Sequence, residues 1–195
     1  VNVHFNTELT VEIVEKEAPD AVIVATGGEP IVPDIPGKDK PNVVEANDVL
    51  LGNVNVGHRV IVIGGGMVGS ETADHLANHG KEVTIVEMLP DIANDEEAAV
   101  RYFLMKDLHD NGVKIYVNAP VKKILDDGVI SEIDGTEIKI GPADTIVMAI
   151  GAKSVNSLTK ELEGKVPQVL TIGDALKVRK ALEAVEEGYR AGLAV

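Results

Sequence analysis

Residues 59–87 read RVIVIGGGMVGSETADHLANHGKEVTIVE, and the fold class can be predicted from this segment. Branched apolar residues at 60–63 run directly into three glycines, which is typical of a buried strand that ends in a turn. Apolar residues then recur at helical spacing from Met67 to Asn78, until Gly80 ends the pattern. A second branched run follows and ends at Glu87. Strand, glycine turn, helix and strand in this order predict a parallel βαβ unit.

Further strand-like runs lie on both sides of this unit. Residues 20–28, 144–150 and 169–174 are each rich in Val, Ile or Leu and reach a glycine at or just after their ends. Three further short strands are predicted to form a small β-meander: 114–117, 121–125 and 136–140. Prolines crowd residues 30–41 and exclude a helix or central strand there, which makes this segment a boundary candidate.

Two more helices are predicted beside Met67–Asn78. Residues 95–111 begin with acidic residues and end at Asn-Gly, and residues 179–195 have an amphipathic pattern. In the second of these, the side chains expected to face inward are Ala181, Leu182, Val185 and Tyr189. The acidic pairs Glu96-Glu97 and Glu186-Glu187 are interpreted as helix-surface charge. The predicted fold class is therefore α/β, with a parallel Rossmann-type sheet, flanking helices and the meander.

Composition narrows the classes of function. The net charge of −14 argues against nucleic acid or an anionic membrane as a general partner. The absence of cysteine removes a redox dithiol, a thiolate nucleophile and iron–sulfur ligation from these residues. No apolar run approaches the roughly 20 residues of a membrane helix, and the start lacks the features of a signal peptide, so a cytoplasmic location is expected. A homo-oligomer is compatible with these features.

The motif that carries chemistry is Gly64-Gly65-Gly66-Met67-Val68-Gly69, which fits the dinucleotide-binding pattern G-x-G-x-x-G in its required context. Gly64 permits the tight turn, Gly66 lets the backbone approach a pyrophosphate, and Gly69 lets the helix pack closely on the strand. The amides at the helix start, from Gly66 through Met67 and Val68 to Gly69, are expected to face the phosphates.

Glu87 points to the kind of dinucleotide. A carboxylate at the end of the second strand can accept hydrogen bonds from both adenosine ribose hydroxyls and would repel a 2′-phosphate. The next residues are Met88, Leu89 and Pro90, so no Lys or Arg follows to neutralise such a phosphate. The sequence therefore favours NAD(H) over NADP(H).

Other interpretations of these residues remain open at this point. The glycine turn is also compatible with another adenosine ligand, such as FAD or a methyl donor, or with a turn that binds no nucleotide. Glu71, His75 and His79 share a helix face and form a weak candidate metal arrangement, with no fourth ligand evident. Ser70 and Ser131 lack the His and Asp pattern of a nucleophile, and no catalytic residue is assigned.

Three glycine-containing segments lie outside one Rossmann unit: Ala25–Pro30, Val147–Gly151 and Gly173-Asp174-Ala175, the last leading into residues 179–184. Together with residues 64–73 they give the chain a pattern that resembles the pyridine nucleotide–disulfide oxidoreductase superfamily. More narrowly, it resembles the C-terminal part of the 2,4-dienoyl-CoA reductase and 2-enoate reductase group of NADH:flavin oxidoreductases. The resemblance covers nearly the whole chain.

The resemblance implies that an NAD(P)-binding domain, residues 46–150, is inserted into remnants of an FAD-binding domain, residues 1–45 and 151–195. It places Met67 and Glu71 near the path of the nicotinamide and Gly151 close to bound NAD. It places Gly173 and Asp174 at a partial FAD site, where the acid bonds the ribityl or phosphate region. FMN, an iron–sulfur cluster and an N-terminal barrel would belong to regions that precede Val1 in a longer parent protein.

Three hypotheses for function follow. In the first, the chain is a dinucleotide-binding fragment of an NADH-dependent flavin oxidoreductase, accepts NADH and passes hydride to flavin, and lacks the domain that would reduce an enoate. In the second, it is a noncatalytic nucleotide-binding module with a structural or regulatory role. In the third, it is a relative of the disulfide reductases that acts with a separate redox partner, an interpretation weakened by the absence of cysteine.

Overall fold

The computed structural model describes residues 1–195 and divides into two compact units. The larger unit is the continuous stretch Pro30–Gly151, and the smaller one combines Val1–Glu29 with Ala152–Val195. The first division thus lies between residues 29 and 30, at the start of the proline-rich boundary candidate, whereas the family resemblance implied residue 45. Residues 43–45 form a strand of the larger unit's sheet, and this pairing assigns them to that unit.

A parallel five-stranded sheet forms the centre of the larger unit, as predicted for a Rossmann-type α/β fold. Its strands stand in the order β3-β10-β4-β5-β6. Their bounds are Val43–Glu45 for β3, Thr145–Met148 for β10, Arg59–Ile63 for β4, Glu82–Val86 for β5 and Lys114–Tyr116 for β6. Val62 pairs with Ile85 on one side and Val147 on the other, and all three side chains are fully buried.

The two faces of this sheet are covered by different structures. Val60 and Val62 pack on the helical side, formed by α2 (Ala46–Leu50), α3 (Met67–Asn78) and α4 (Ala98–Asp110). Ile61 and Ile63 pack on the other side, against buried residues of an antiparallel sheet. Burial on both faces explains why β4 is a continuous apolar run rather than an alternating one.

The antiparallel sheet is the predicted meander, with a different membership. It consists of β7 (Val121–Leu125), β8 (Gly128–Ile133) and β9 (Thr136–Ile140) in that order. The prediction of residues 114–117 as a meander strand was wrong, because β6 pairs in parallel with β5 at the edge of the large sheet. Strand β8 was missed, since Ser131 and Glu132 interrupt its apolar pattern.

The smaller unit contains two short sheets and three helices. Strand β1 (Ala21–Val24) pairs in parallel with β12 (Gln168–Thr171), and β2 (Gly28–Pro30) pairs with β11 (Ala152–Ser154). The helices are α1 (Val11–Glu17), α5 (Ser157–Glu161) and α6 (Ala181–Ala194), and a 3-10 turn occupies Gly173–Ala175. A small core holds the unit together, formed by Val14, Val22, Val24, Leu162 and Val166.

Helix α6 forms where the sequence predicted it, but the direction of its apolar face was wrong. Leu182, Val185 and Tyr189 are each about 70% exposed rather than inward. The inner side instead carries small residues, and Ala184 lies 3.4 Å from the position that a Cβ on Gly173 would take. Close approach of the helix to this turn requires small side chains there, so the large ones remain on the opposite side.

Helices long and apolar enough to cross a bilayer do not occur among residues 1–195.

Candidate functional site

The glycine turn, residues 64–69, connects the carboxyl end of β4 to the amino end of α3. Gly64 has a φ of +102°, and a Cβ there would lie 2.3 Å from the carbonyl oxygen of Ala149. A Cβ on Gly69 would lie 2.0 Å from the carbonyl oxygen of Gly64. Both distances are far below van der Waals contact, so the chain's own packing requires glycine at these two positions.

Gly66 differs from its neighbours because nothing in the chain crowds it. Its φ is −67°, which any residue adopts, and its backbone is exposed. The nearest atom to a Cβ there would be the Oδ2 of Asp95, at 3.9 Å. Folding therefore does not require glycine at this position, and the exposed backbone leaves room for a ligand to approach.

Glu87 follows β5 directly and is only 6% exposed. Its Oε2 accepts a hydrogen bond from the amide of Gly65 at 2.5 Å, and its Oε1 accepts one from the amide of Leu89 at 2.7 Å. The carboxylate thus links the end of β5 to the glycine turn. Each oxygen keeps a second acceptor position, so the group can still receive hydroxyl hydrogen bonds from a ligand.

The first turn of α3 presents backbone amides that lack acceptors within the helix. Met67 is half-buried, and its amide donates to Oδ1 of Asp95 at 3.0 Å. Val68 is 37% exposed and Glu71 is exposed on the next turn. Asp95 was not predicted as a site residue, because its contact joins positions 28 residues apart through a loop and no spacing rule signals it.

Gly151 lies beyond the end of β10, the neighbour of β4 in the sheet. It is exposed, has a φ of +96°, and its carbonyl accepts a hydrogen bond from the amide of Ile31 at 2.9 Å. The glycine turn, Glu87 and Gly151 therefore all follow the carboxyl ends of adjacent parallel strands. In open α/β sheets this edge is where ligands bind, at the point where the strand order reverses.

The weaker sequence candidates have structural roles. Ser70 is fully buried and its hydroxyl donates to the carbonyl of Gly65 at 3.0 Å, while the Ser131 hydroxyl donates to the carbonyl of Ala119 at 2.6 Å. His75 and His79 contact each other, with ring centroids 4.4 Å apart. Nowhere in residues 1–195 do three His, Asp or Glu side chains form a group that could hold a metal ion.

The second set of predicted residues lies in the smaller unit. The amide of Gly173 donates to Oε2 of Glu187 at 2.7 Å, and Oδ1 of Asp174 accepts from the amide of Arg179 at 3.1 Å. The interpretation of Glu187 as surface charge was wrong, because it is half-buried and forms an ion pair with Arg179. The Arg179 guanidinium and the Gly173 amide lower the pKa of the Glu187 carboxyl. Glu186, by contrast, pairs with Arg190 on the surface.

The candidate site in the larger unit is suited to binding a ligand more than to acid–base catalysis. The larger unit offers helix amides for an anion, a buried carboxylate for hydroxyls and an open backbone between them. The carboxylates of Glu87 and Asp95 accept hydrogen bonds from backbone amides, at Gly65 and Leu89 for Glu87 and at Met67 for Asp95. Such a site can hold a dinucleotide whose own chemistry performs the reaction.

Comparison with known proteins identifies relatives over almost the entire chain. The family model described as pyridine nucleotide-disulphide oxidoreductase matches residues 3–188. An NADH oxidase of Thermoanaerobacter brockii is 41% identical over 97% of this chain and 30% of its own length. A cinnamate reductase of Clostridium sporogenes is 37% identical over 97% of this chain and 28% of its own length.

A solved structure agrees with these sequence matches. A complex of 2-naphthoyl-CoA reductase has a TM-score of 0.88 and 35% identity, and it covers 97% of this chain and 29% of its own. The chain therefore spans less than a third of the length of these relatives.

Proposed function

Because this chain belongs to the pyridine nucleotide-disulphide oxidoreductase family, we propose that its glycine turn binds the pyrophosphate of NADH. The observation that carries the proposal is the open backbone at Gly66. The chain's own packing does not require glycine at this position, since a Cβ would meet only one atom, at 3.9 Å. Close approach of a ligand supplies the reason, and the amides of Met67, Val68 and Gly69 at the start of α3 are the donors that a phosphate accepts from.

Glu87 supports the choice of NADH over NADPH. Its buried carboxylate is held by Gly65 and Leu89 and cannot turn away from a ligand without losing those bonds. Ribose hydroxyls can donate to the remaining acceptor positions, whereas a 2′-phosphate would be placed against a fixed negative charge. Met88 and Leu89 are exposed and bring no positive charge to this position. We assign Glu71 and Gly151 to the nicotinamide half of the same dinucleotide.

The smaller unit is proposed to contribute part of an FAD site. Gly173 and Asp174 lie in a turn where the amide of Gly173 and one oxygen of Asp174 are already bonded within the chain. The second oxygen of Asp174 can accept a hydrogen bond from a ribityl hydroxyl. In the complete flavoprotein the two cofactors supply hydride transfer from nicotinamide to flavin, and the residues of this chain supply placement and electrostatics.

The reaction of the whole protein is proposed from its relatives. Cinnamate carries a C=C bond conjugated to a carboxylate, and a cinnamate reductase is among the similar proteins. The resemblance to the enoate reductase group implies a flow of electrons from NADH to an activated C=C bond. We therefore propose an enoate or enoyl-CoA class of acceptor, reduced by a domain outside residues 1–195.

The test of nucleotide binding is a calorimetric titration of the chain with NADH and NADPH, together with a Gly66→Val variant. We expect 1:1 binding of NADH, weaker binding of NADPH, and loss of both in the variant, because the new side chain occupies the pyrophosphate approach. Thermal unfolding of the variant serves as the control, with a change of about 1 kcal/mol or less. Intact NADH affinity in a folded Gly66→Val variant would remove the glycine turn from the site.

A further inference from the structure

The carboxylate of Asp95 lies at the first turn of α3. Its Oδ1 accepts the amide hydrogen bond of Met67 at 3.0 Å, and its Oδ2 is 3.9 Å from the position that a Cβ on Gly66 would take. An anionic group of the chain itself therefore lies beside the exposed backbone of Gly66 and accepts a hydrogen bond from one of the first amides of the helix. This is the place that the proposed function assigns to the pyrophosphate of a dinucleotide.

A carboxylate and a phosphate compete for such a position because they use the same interactions. Each is an anion that accepts hydrogen bonds from amides at a helix amino terminus, and each is stabilised there by the helix dipole. The Met67 amide provides one hydrogen for one acceptor. Two anions in contact at this place would also repel each other, so occupation by one excludes the other.

The loop that carries Asp95 has a buried anchor, and Asp95 lies outside this anchor. Ile92 is 1% exposed, Ala93 is fully buried, and the amide of Ala93 donates to the carbonyl of Gly65 at 2.7 Å. Arg101 adds bonds to the carbonyl of Ile92. Asp95 itself is exposed two residues further along. Its side chain can therefore leave the helix while the buried anchor of the loop stays in place.

We propose that Asp95 is an internal competitor that closes the phosphate position of the nucleotide-free protein and is expelled when NADH binds. The inference rests on the proposed function of the glycine turn. The closed form does not accept the dinucleotide, so the apparent dissociation constant is the intrinsic one divided by the open fraction of the protein. Removal of the carboxylate should tighten NADH binding, although most substitutions near a ligand weaken it.

The experiment compares NADH dissociation constants of the wild-type chain with those of Asp95→Asn and Asp95→Ala, by calorimetry at low salt. We expect both variants to bind roughly two- to tenfold more tightly, which corresponds to the strength of one helix-terminal charge contact. Glu97→Gln is the matched control, since it removes the same charge from the same loop at an exposed residue that immediately precedes α4. Its dissociation constant should stay within about twofold of the wild-type value.

A second measurement tests the hydrogen bond between the Met67 amide and Asp95 directly. Hydrogen exchange of the Met67 amide should be faster in nucleotide-free Asp95→Ala than in the wild type, and unchanged in Glu97→Gln. Tighter binding by the Asp95 variants, including binding seen only in them, supports the proposal. Equal or weaker binding by both folded variants, with NADH bound normally by the wild type, overturns it and leaves the glycine-turn site intact. Binding by neither the wild type nor the variants overturns both.

Discussion

The Cβ that alanine would add at Gly69 lies 2.0 Å from the carbonyl oxygen of Gly64, whereas the one added at Gly66 meets nothing closer than 3.9 Å. The same substitution should therefore destabilise the fold at Gly69 and leave it nearly unchanged at Gly66. Gly69→Ala is expected to lower the free energy of unfolding by about 1–3 kcal/mol, the cost of forcing an extra methyl group into a packed contact. Gly66→Ala should change it by less than about 0.5 kcal/mol. Denaturant unfolding of the two variants measures these changes. Equal losses of unfolding free energy would contradict the conclusion that packing requires glycine at position 69 but not at position 66.

Glu87→Gln tests the ribose role with the smallest change of shape. The amide oxygen of glutamine can replace one carboxylate oxygen, but its NH2 group would face one of the two amides that Glu87 now binds, at Gly65 or Leu89. We expect a stability loss of about 1–3 kcal/mol for the orphaned amide. We also expect the preference for NADH over NADPH to fall about tenfold, because the repulsive charge is gone. An unchanged ratio of the two dissociation constants would separate Glu87 from nucleotide discrimination.

The residues of the candidate site differ in how far their positions and contacts could be predicted from the sequence. The places of Gly64, Gly66 and Gly69 in the turn were predictable, because each follows from a local demand of a strand–turn–helix connection. The bonds of Glu87 to two amides were not, although its position at the end of a strand was. Asp95 gave no signal at all, since its contact depends on the path of an irregular loop.

Strands β4 and β10 are joined at their amino ends by an ion pair between Arg59 and Asp144. Hydrogen bonds from the Arg59 side chain and backbone amide hold the pKa of the Asp144 carboxyl far below its ordinary value of 3.8. A carboxyl whose pKa is lowered by folding adds stability above its unfolded pKa, and this stability is lost as the pH falls through the folded pKa.

Asp144→Asn should therefore lower the melting temperature at pH 7. The difference from the wild type should shrink as the pH falls below about 4, where the wild-type carboxylate begins to be protonated in the unfolded chain. Thermal unfolding from pH 7 to pH 2 measures this. Because both side chains are partly exposed, added salt should also reduce the difference. A difference in melting temperature that is constant with pH would show that ionisation of Asp144 does not contribute to the stability of the fold.

The elements whose patterns are strongest were predicted correctly, and those that depend on long-range packing were not. The βαβ unit was predictable because glycines and apolar runs mark its strands and its turn. The contact side of α6 was predicted wrongly. Large apolar residues ordinarily mark the buried side of a helix, but in α6 this side carries the small residues Ala184, Gly188 and Ala191. Strand β6 was assigned to the wrong sheet, because a three-residue strand has no period that identifies its partner.

The boundary between the two units depends on which sheet each strand joins, and the composition of the chain shows this only in part. The proline-rich segment marked the region of the boundary, yet the larger unit begins at its first proline, Pro30. Residues 30–42 then lead into β3, which extends the sheet beyond β10. A parallel strand added by such a long connection cannot be recognised from the local sequence, because its partner lies about 100 residues away.

Binding of NADH by the glycine turn and Glu87 can be tested residue by residue, by mapping the backbone amides that respond to NADH in a 15N-labelled chain. We predict saturable shifts concentrated at residues 64–69, at Glu87 and Leu89, and at Gly151, all at the carboxyl edge of the parallel sheet. Shifts confined to the smaller unit, or no shifts at millimolar NADH, would contradict the claim.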